Sequence, residues 1–175
     1  NKAVTSSADI KGVKFRSYNA ATATFAKELG MTPVQIEAAE LSQALATGVA
    51  ESFISSGSTG YDRKVWEHLS HYYKVNAWLP RNYVIVNKGV WNNLDDGTRS
   101  AVQKAADETG AACAAKSAQL ANWYFEQLES NGMKVEDASP AFLKELQAIG
   151  AKMQSDWLAA VGSDGQAIID AYKAM

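Results

Sequence analysis

Arg16 has the clearest capacity for chemistry in this chain. A guanidinium keeps its charge when buried, so an Arg near the end of a strand in an apolar layer needs an anion, and its planar fork fits a carboxylate through two parallel hydrogen bonds. The sequence leaves three fates open: contact with a ligand, an internal salt bridge, or an exposed strand face. Asn19 follows within the same strand-to-helix turn, near helix-start amides that favour negative charge. It also reads as a simple N-cap. Ser55 and Ser56 fall where a later strand ends, at the sheet edge on which open α/β sheets bind ligands, or they are turn-forming serines. Trp78 and Asn82 bracket Leu79-Pro80-Arg81, placing an aromatic and an amide in one loop that either lines a pocket or packs in the ordinary way.

Catalytic and metal chemistry find little support. Glu67-His68 followed by His71 is not the HExxH order of a zinc protease, and no third ligand stands near. Gly57-Ser58-Thr59-Gly60 does not match a GxSxG nucleophile elbow, and neither GxxxxGK[ST] nor GxGxxG occurs. A triad or a Cys/His pair would have to recruit His68 or His71 from a helix end. Cys113 lies among alanines and reads as a small buried hydrophobe. No metal and no cofactor is expected.

An α/β layer must position these residues. Gly12 to Asn19 alternates as a strand, with Val13, Phe15 and Ser17 on one face and Lys14, Arg16 and Tyr18 on the other. A helix over Ala20 to Leu29, closed by Gly30, leads to a short strand at Pro33 to Ile36. A helix from about Ala39 to Thr47 then ends at Gly48, and a third strand covers Val49 to Ile54. Ser55 to Gly60 has the composition of a loop. After Tyr61-Asp62 a helix follows through Leu69, with Val65, Trp66 and Leu69 on one side. Extended segments are predicted at Tyr72 to Trp78 and Tyr83 to Asn87.

Beyond this point the pattern becomes helical. Asp95 and Asp96 are good caps for one long helix over Thr98 to Ser130, on the order of 50 Å at 1.5 Å per residue. Its stripe runs through Val102, Ala106, Thr109, Cys113, Leu120, Tyr124 and Leu128, and Gly110 is a candidate bend. A stripe of that length must bury itself on something, which suggests a helix spanning two bodies. A short extended piece around Met133 to Val135 precedes a helix opened by Pro140, with Phe142, Leu146, Ile149, Met153 and Trp157 on one face. A last helix covers about Gly165 to Ala174.

At 175 residues the chain has room for one ordinary domain, and its 47% hydrophobic and 21% charged residues fit a globular protein rather than a disordered one. A net charge of -2 gives no global positive field to hold nucleic acid or an anionic membrane, so nucleic acid is not an expected partner. The single Cys excludes an internal disulfide. The start, Asn1-Lys2-Ala3-Val4, has no initiator Met and no secretory pattern, and reads as a chain processed or cut.

Several segments, in order, match a known family. Asp9-Ile10-Lys11-Gly12-Val13-Lys14-Phe15-Arg16 with Asn19, then Leu29-Gly30-Met31-Thr32-Pro33-Val34, then Ala39-Glu40-Leu41-Ser42-Gln43-Ala44-Leu45-Ala46-Thr47-Gly48-Val49, resemble the DctP-type substrate-binding proteins of TRAP transporters. Tyr83-Val84-Ile85-Val86-Asn87-Lys88-Gly89-Val90-Trp91-Asn92-Asn93-Leu94 and the long helix after it are similar too.

The resemblance implies a two-lobed periplasmic receptor that captures a small organic acid without turnover and hands it to a TRAP membrane permease. It implies that most of the first lobe is absent. Residues 1–77 would then be the substrate-binding second lobe, 78–94 a crossing strand and loop, and 95–175 a spanning helix with the C-terminal helices. The resemblance implies that Arg16 is the carboxylate clamp and that Asn19, Ile54 and Ser55 reach the ligand, with Trp78 and Asn82 as weaker carry-overs. Glu51-Ser52 departs from the acidic-Gly pair common in that strand, so ligand identity is not carried over. Exposed apolar surface on the long helix would invite dimerisation or exchange of elements. The alternative is a helical or α/β interaction protein with no small-molecule ligand.

Overall fold

The computed structural model describes residues 2–79 and 82–174. Its centre is a parallel sheet in which β1 (Lys14–Ser17) lies between β2 (Thr32–Gln35) and β3 (Ser52–Phe53). Both ladders are in register at Arg16, which is opposite Val34 on one side and Phe53 on the other. Parallel neighbours need crossovers, and helices supply them. From β1 the chain passes through α1 (Ala20–Glu28) to β2, and from β2 through a 3-10 turn and α2 (Leu41–Ala46) to β3.

The sequence dictates where these helices stop. Gly30 adopts φ +74, and the paired bonds Gly30 N–H to Lys27 O and Met31 N–H to Ala26 O close α1 in a left-handed cap that disfavours a side chain.

The sheet is covered on both faces. Phe15 joins Ile10, Ala26, Leu29 and Met31 in one core, completed by Ala138, Phe142 and Leu146. Ile36, Leu41, Ala44, Leu45, Ala50 and Val65 form a second, completed by Leu128 and Met133, with Val34 and Phe53 packed against it. Arg16 shares its face with its register partners Val34 and Phe53, because residues in parallel register point the same way. The predicted one-faced alternation of β1 therefore gives way to burial on both sides: Phe15, Arg16 and Ser17 are all buried.

Late residues finish both cores. β4 (His71–Lys74) pairs in parallel with β5 (Lys134–Asp137), so the first 77 residues do not close a core by themselves. Between these strands lie α4 (Lys88–Asn92) and α5 (Asp96–Ser130), and after them α6 (Pro140–Val161) and α7 (Ser163–Lys173). Asp95 caps α5 as expected, its Oδ1 accepting from the Thr98 amide at 2.8 Å. α5 runs 35 residues without a break at Gly110.

Four expectations change. Ser55 to Gly60 is not a loop: Ser56 caps α3 (Gly57–Asp62), whose glycines let it approach α5. The helix expected after Tyr61-Asp62 through Leu69 is only a 3-10 turn at Val65–Glu67, set off from α3 by Lys64 at φ 48. Residues 83–87 form no strand, since no described strand lies beside them to accept a ladder. The stripe on α5 is covered only near its end: Leu128 is buried and Leu120 and Tyr124 half-buried, while Val102, Ala106, Thr109 and Cys113 are exposed. The break at Leu79-Pro80-Arg81 falls mostly outside the described residues, which exclude Pro80 and Arg81.

Candidate functional site

The strand order β2-β1-β3 creates a switch point. The connection from β1 enters α1, which packs on the Phe15 face, whereas the connection from β3 enters α3, which packs with α5 on the Leu128 face. Connections leaving to opposite faces open a crevice at the carboxyl ends of the strands, the usual place for a ligand in open α/β sheets. Arg16, Tyr18 and Asn19 come to that edge from β1, Ile36 and Glu37 from β2, and Ile54 and Ser55 from β3.

Arg16 is 4% exposed. Its Nε donates to the carbonyl of Ile36 at 2.8 Å, and its Cζ lies 5.0 Å from the centroid of the Tyr18 ring. Burial pulls its pKa down, partly offset by Coulombic interaction with Tyr18, which ionises only at high pH, and with the Glu37 carboxylate; a guanidinium nevertheless stays cationic at neutral pH. No acidic side chain lies within 4.0 Å of it among the described residues. Of the three fates open to Arg16, the internal salt bridge and the exposed face are thus absent from the described chain.

Asn19 caps α1. Its Oδ1 accepts from the Thr22 amide at 2.8 Å, and the Thr22 hydroxyl answers by accepting from the Asn19 amide at 3.3 Å. The side-chain nitrogen of Asn19 has no hydrogen-bond partner among the described residues. The amide oxygen is thus committed to the helix, and the half-buried side chain keeps its nitrogen as an uncommitted donor among the described residues.

Ser55 lies two residues beyond Phe53, the register partner of Arg16, and its half-buried hydroxyl makes no hydrogen bond among the described residues. Ser56 is occupied differently. Its Oγ accepts from the Thr59 amide at 3.3 Å and pairs with the Ser58 hydroxyl at 2.7 Å, which is helix-capping chemistry. Trp78 is half-buried and Asn82 exposed, in the stretch after β4. No hydrogen bond or ring contact joins either to Arg16, Asn19 or Ser55 among the described residues. Two features escaped the sequence reading: the Tyr18 ring over Arg16 and the Ile36 carbonyl beneath Nε. The alternation that put Tyr18 on the face of Arg16 was a usable signal for the first.

No group of three or more His, Cys, Asp or Glu that could hold a metal is found among the described residues. Nor is any helix long and apolar enough to cross a membrane. The strand-end edge thus carries a buried cation, Arg16, with the polar Asn19 and Ser55 at the same edge and the Glu37 carboxylate acting on the guanidinium without pairing with it.

The family model for bacterial extracellular solute-binding protein, family 7 (DctP), matches residues 1–161. No curated protein matches the chain. Among solved structures, a TRAP solute-binding protein from an unidentified marine-metagenome microbe, specific for pyroglutamate and holding co-purified pyroglutamate, is 84% identical with TM-score 0.96; the match covers 99% of this chain and 57% of that one. Two Bordetella pertussis extracytoplasmic solute receptors binding pyroglutamic acid are also similar. One is 41% identical with TM-score 0.96 over 99% of this chain and 57% of its own. The other is 37% identical with TM-score 0.95 over 98% of this chain and 57% of its own. The chain therefore spans a little over half the length of these relatives.

Proposed function

This chain belongs to family 7 of the bacterial extracellular solute-binding proteins, and from that membership we propose that the whole protein is the periplasmic receptor of a TRAP transporter, capturing a small carboxylate without turnover and delivering it to a membrane permease. The carboxylate we propose is pyroglutamate, the ligand named for the three relatives above. Pyroglutamate carries one carboxylate on an uncharged lactam ring. The strand ends carry one cation, Arg16, with the uncharged amide of Asn19 and hydroxyl of Ser55 at the same edge, and Glu37 as the one carboxylate whose charge acts on Arg16.

One observation carries this reading: Arg16 is buried with no acidic side chain within 4.0 Å among the described residues, the Glu37 carboxylate acting on it only from farther away. Burying an isolated charge is costly, and a ligand carboxylate in two parallel hydrogen bonds would offset the cost. Asn19 and Ser55 then orient the ring, while Trp78 and Asn82 supply the rim from their loop. Closure of a second lobe removes water, which strengthens each contact and creates the ligand-dependent state the permease reads.

Calorimetry on the full-length receptor tests the proposal. Truncating one member of a buried charged pair costs about 2 to 5 kcal/mol, so Arg16→Ala is expected to weaken pyroglutamate binding roughly 30-fold to several thousandfold. Arg16→Lys keeps the charge but loses the fork, and should also bind more weakly than wild type. Unchanged affinity in Arg16→Ala would remove Arg16 from the site. Absence of any thermal shift with pyroglutamate or other organic acids would favour an interaction protein instead.

A further inference from the structure

We propose that Tyr18 is a positioning residue for the carboxylate clamp: its ring braces the Arg16 guanidinium so that the two terminal nitrogens are presented to the ligand. The inference rests on the reading of Arg16 as the clamp and specifies how that clamp is held.

A guanidinium can meet a carboxylate side-on, through Nε and one terminal nitrogen, or end-on, through both terminal nitrogens. In this site the single Nε hydrogen is already given to the Ile36 carbonyl at 2.8 Å. That leaves the end-on approach. The Tyr18 ring, 5.0 Å from Cζ, lies over the guanidinium and attracts the cation through its negative face. Carbonyl and ring together restrict the fork without neutralising it. An internal carboxylate would stabilise the buried charge as well, but the ligand would then have to displace it.

The brace is itself anchored. The Tyr18 amide donates to the Thr22 hydroxyl at 3.2 Å, and Thr22 is fully buried in the first turn of α1. The same hydroxyl accepts from the Asn19 amide, so the brace and the neighbouring donor are tied to one helix start. A clamp fixed before the ligand arrives loses less conformational freedom on binding, which favours affinity.

The test uses the full-length receptor with pyroglutamate as the probe, and three variants. Tyr18→Phe keeps the ring face and is expected to bind within about twofold of wild type. Tyr18→Leu keeps bulk but not the face, and a loss of roughly 3- to 30-fold is expected. Hydrogen exchange of the Arg16 Nε proton, followed by nitrogen-15 NMR without ligand, should be faster in Tyr18→Leu and unchanged in Tyr18→Phe. Wild-type affinity in Tyr18→Leu overturns the proposal. So does a Tyr18→Phe loss as large as that of Tyr18→Leu, which would make the hydroxyl the active group. Weaker binding with unaltered Nε exchange also overturns it, since the ring would then touch the ligand directly. Arg16→Ala separates the two levels: an unchanged affinity there defeats the clamp itself, whereas a large loss there with none in Tyr18→Leu defeats only the brace.

Discussion

Asn19 uses its two side-chain ends differently, and substitution can separate them. The oxygen caps α1 through the Thr22 amide, while the nitrogen stays unpaired among the described residues. Aspartate caps as well as asparagine, and a carboxylate at a helix start is favoured by the helix dipole. Asn19→Asp should therefore leave the melting temperature of the full-length receptor unchanged or slightly raised. It also replaces the uncommitted donor with an anion three residues from Arg16, so pyroglutamate affinity should fall at least about tenfold, by like-charge repulsion and competition for the guanidinium. Asn19→Ala should instead lose about 1 kcal/mol of stability from the missing cap. Calorimetric binding set beside thermal melts would expose the dissociation, and wild-type affinity in Asn19→Asp would exclude the amide from the ligand. At this scale the sequence disclosed residue types and neighbours along the chain. Arg16 and Asn19 were legible because a strand ending in a helix start puts them on one edge. The Ile36 carbonyl was not, because it belongs to another strand and pairing register is not written in one segment. Ser56 has a role that neither of its two readings named: it precedes Gly57 with the Thr59 amide three residues on, and caps α3.

The packing of α3 on α5 rests on two glycines that are not equivalent. A Cβ on Gly57 would stand 3.1 Å from the Tyr124 Cβ and 3.3 Å from the Phe125 ring, whereas one on Gly60 would meet Leu128 and Val65 at 3.4 Å. The first contact is with an atom fixed to the α5 backbone, which cannot turn aside as a side-chain tip can. Gly57→Ala should force the helices apart at about 1 to 3 kcal/mol. Gly60→Ala meets ordinary contact distances and gains as much as about 1 kcal/mol of helix propensity, so its net effect should be near zero or stabilising. Denaturant unfolding of both variants checks the ranking, and equal losses would contradict it. This pair also explains why the segment was misread. Gly57-Ser58-Thr59-Gly60 has poor helix propensity, and only the close approach of α5, some sixty residues later, makes a helix the better solution. Elements with strong local signals were read correctly: α1 by its Gly30 cap, α5 by Asp95 and the uninterrupted run behind it, and α6 by Pro140 and the apolar face that follows it. Weak edge elements such as β3 depend on partners the local sequence does not reveal.

Taken whole, the molecule shows much more apolar surface than one core requires. Val84 is 105% and Ile85 88% exposed within a stretch that includes Tyr83 and Val86, and Val90 and Val102 follow in the open. Exposed apolar runs with unpaired backbone invite association. The family's greater length offers one cover, since the relatives extend well beyond the matched region; another copy of the chain offers a second. The two are distinguishable. The 175 residues alone should bind a hydrophobic dye and associate as concentration rises, and, spanning 57% of the length of these relatives, should bind pyroglutamate more weakly than the full-length receptor. If pairing through the exposed run drives the association, Ile85→Lys should return the chain to a monomer without lowering its stability, because Ile85 packs into neither core. Light scattering over a concentration series decides the matter. A monomer at every concentration with no dye bound would mean that this surface is not adhesive, and would sever the exposed run from any role in assembly.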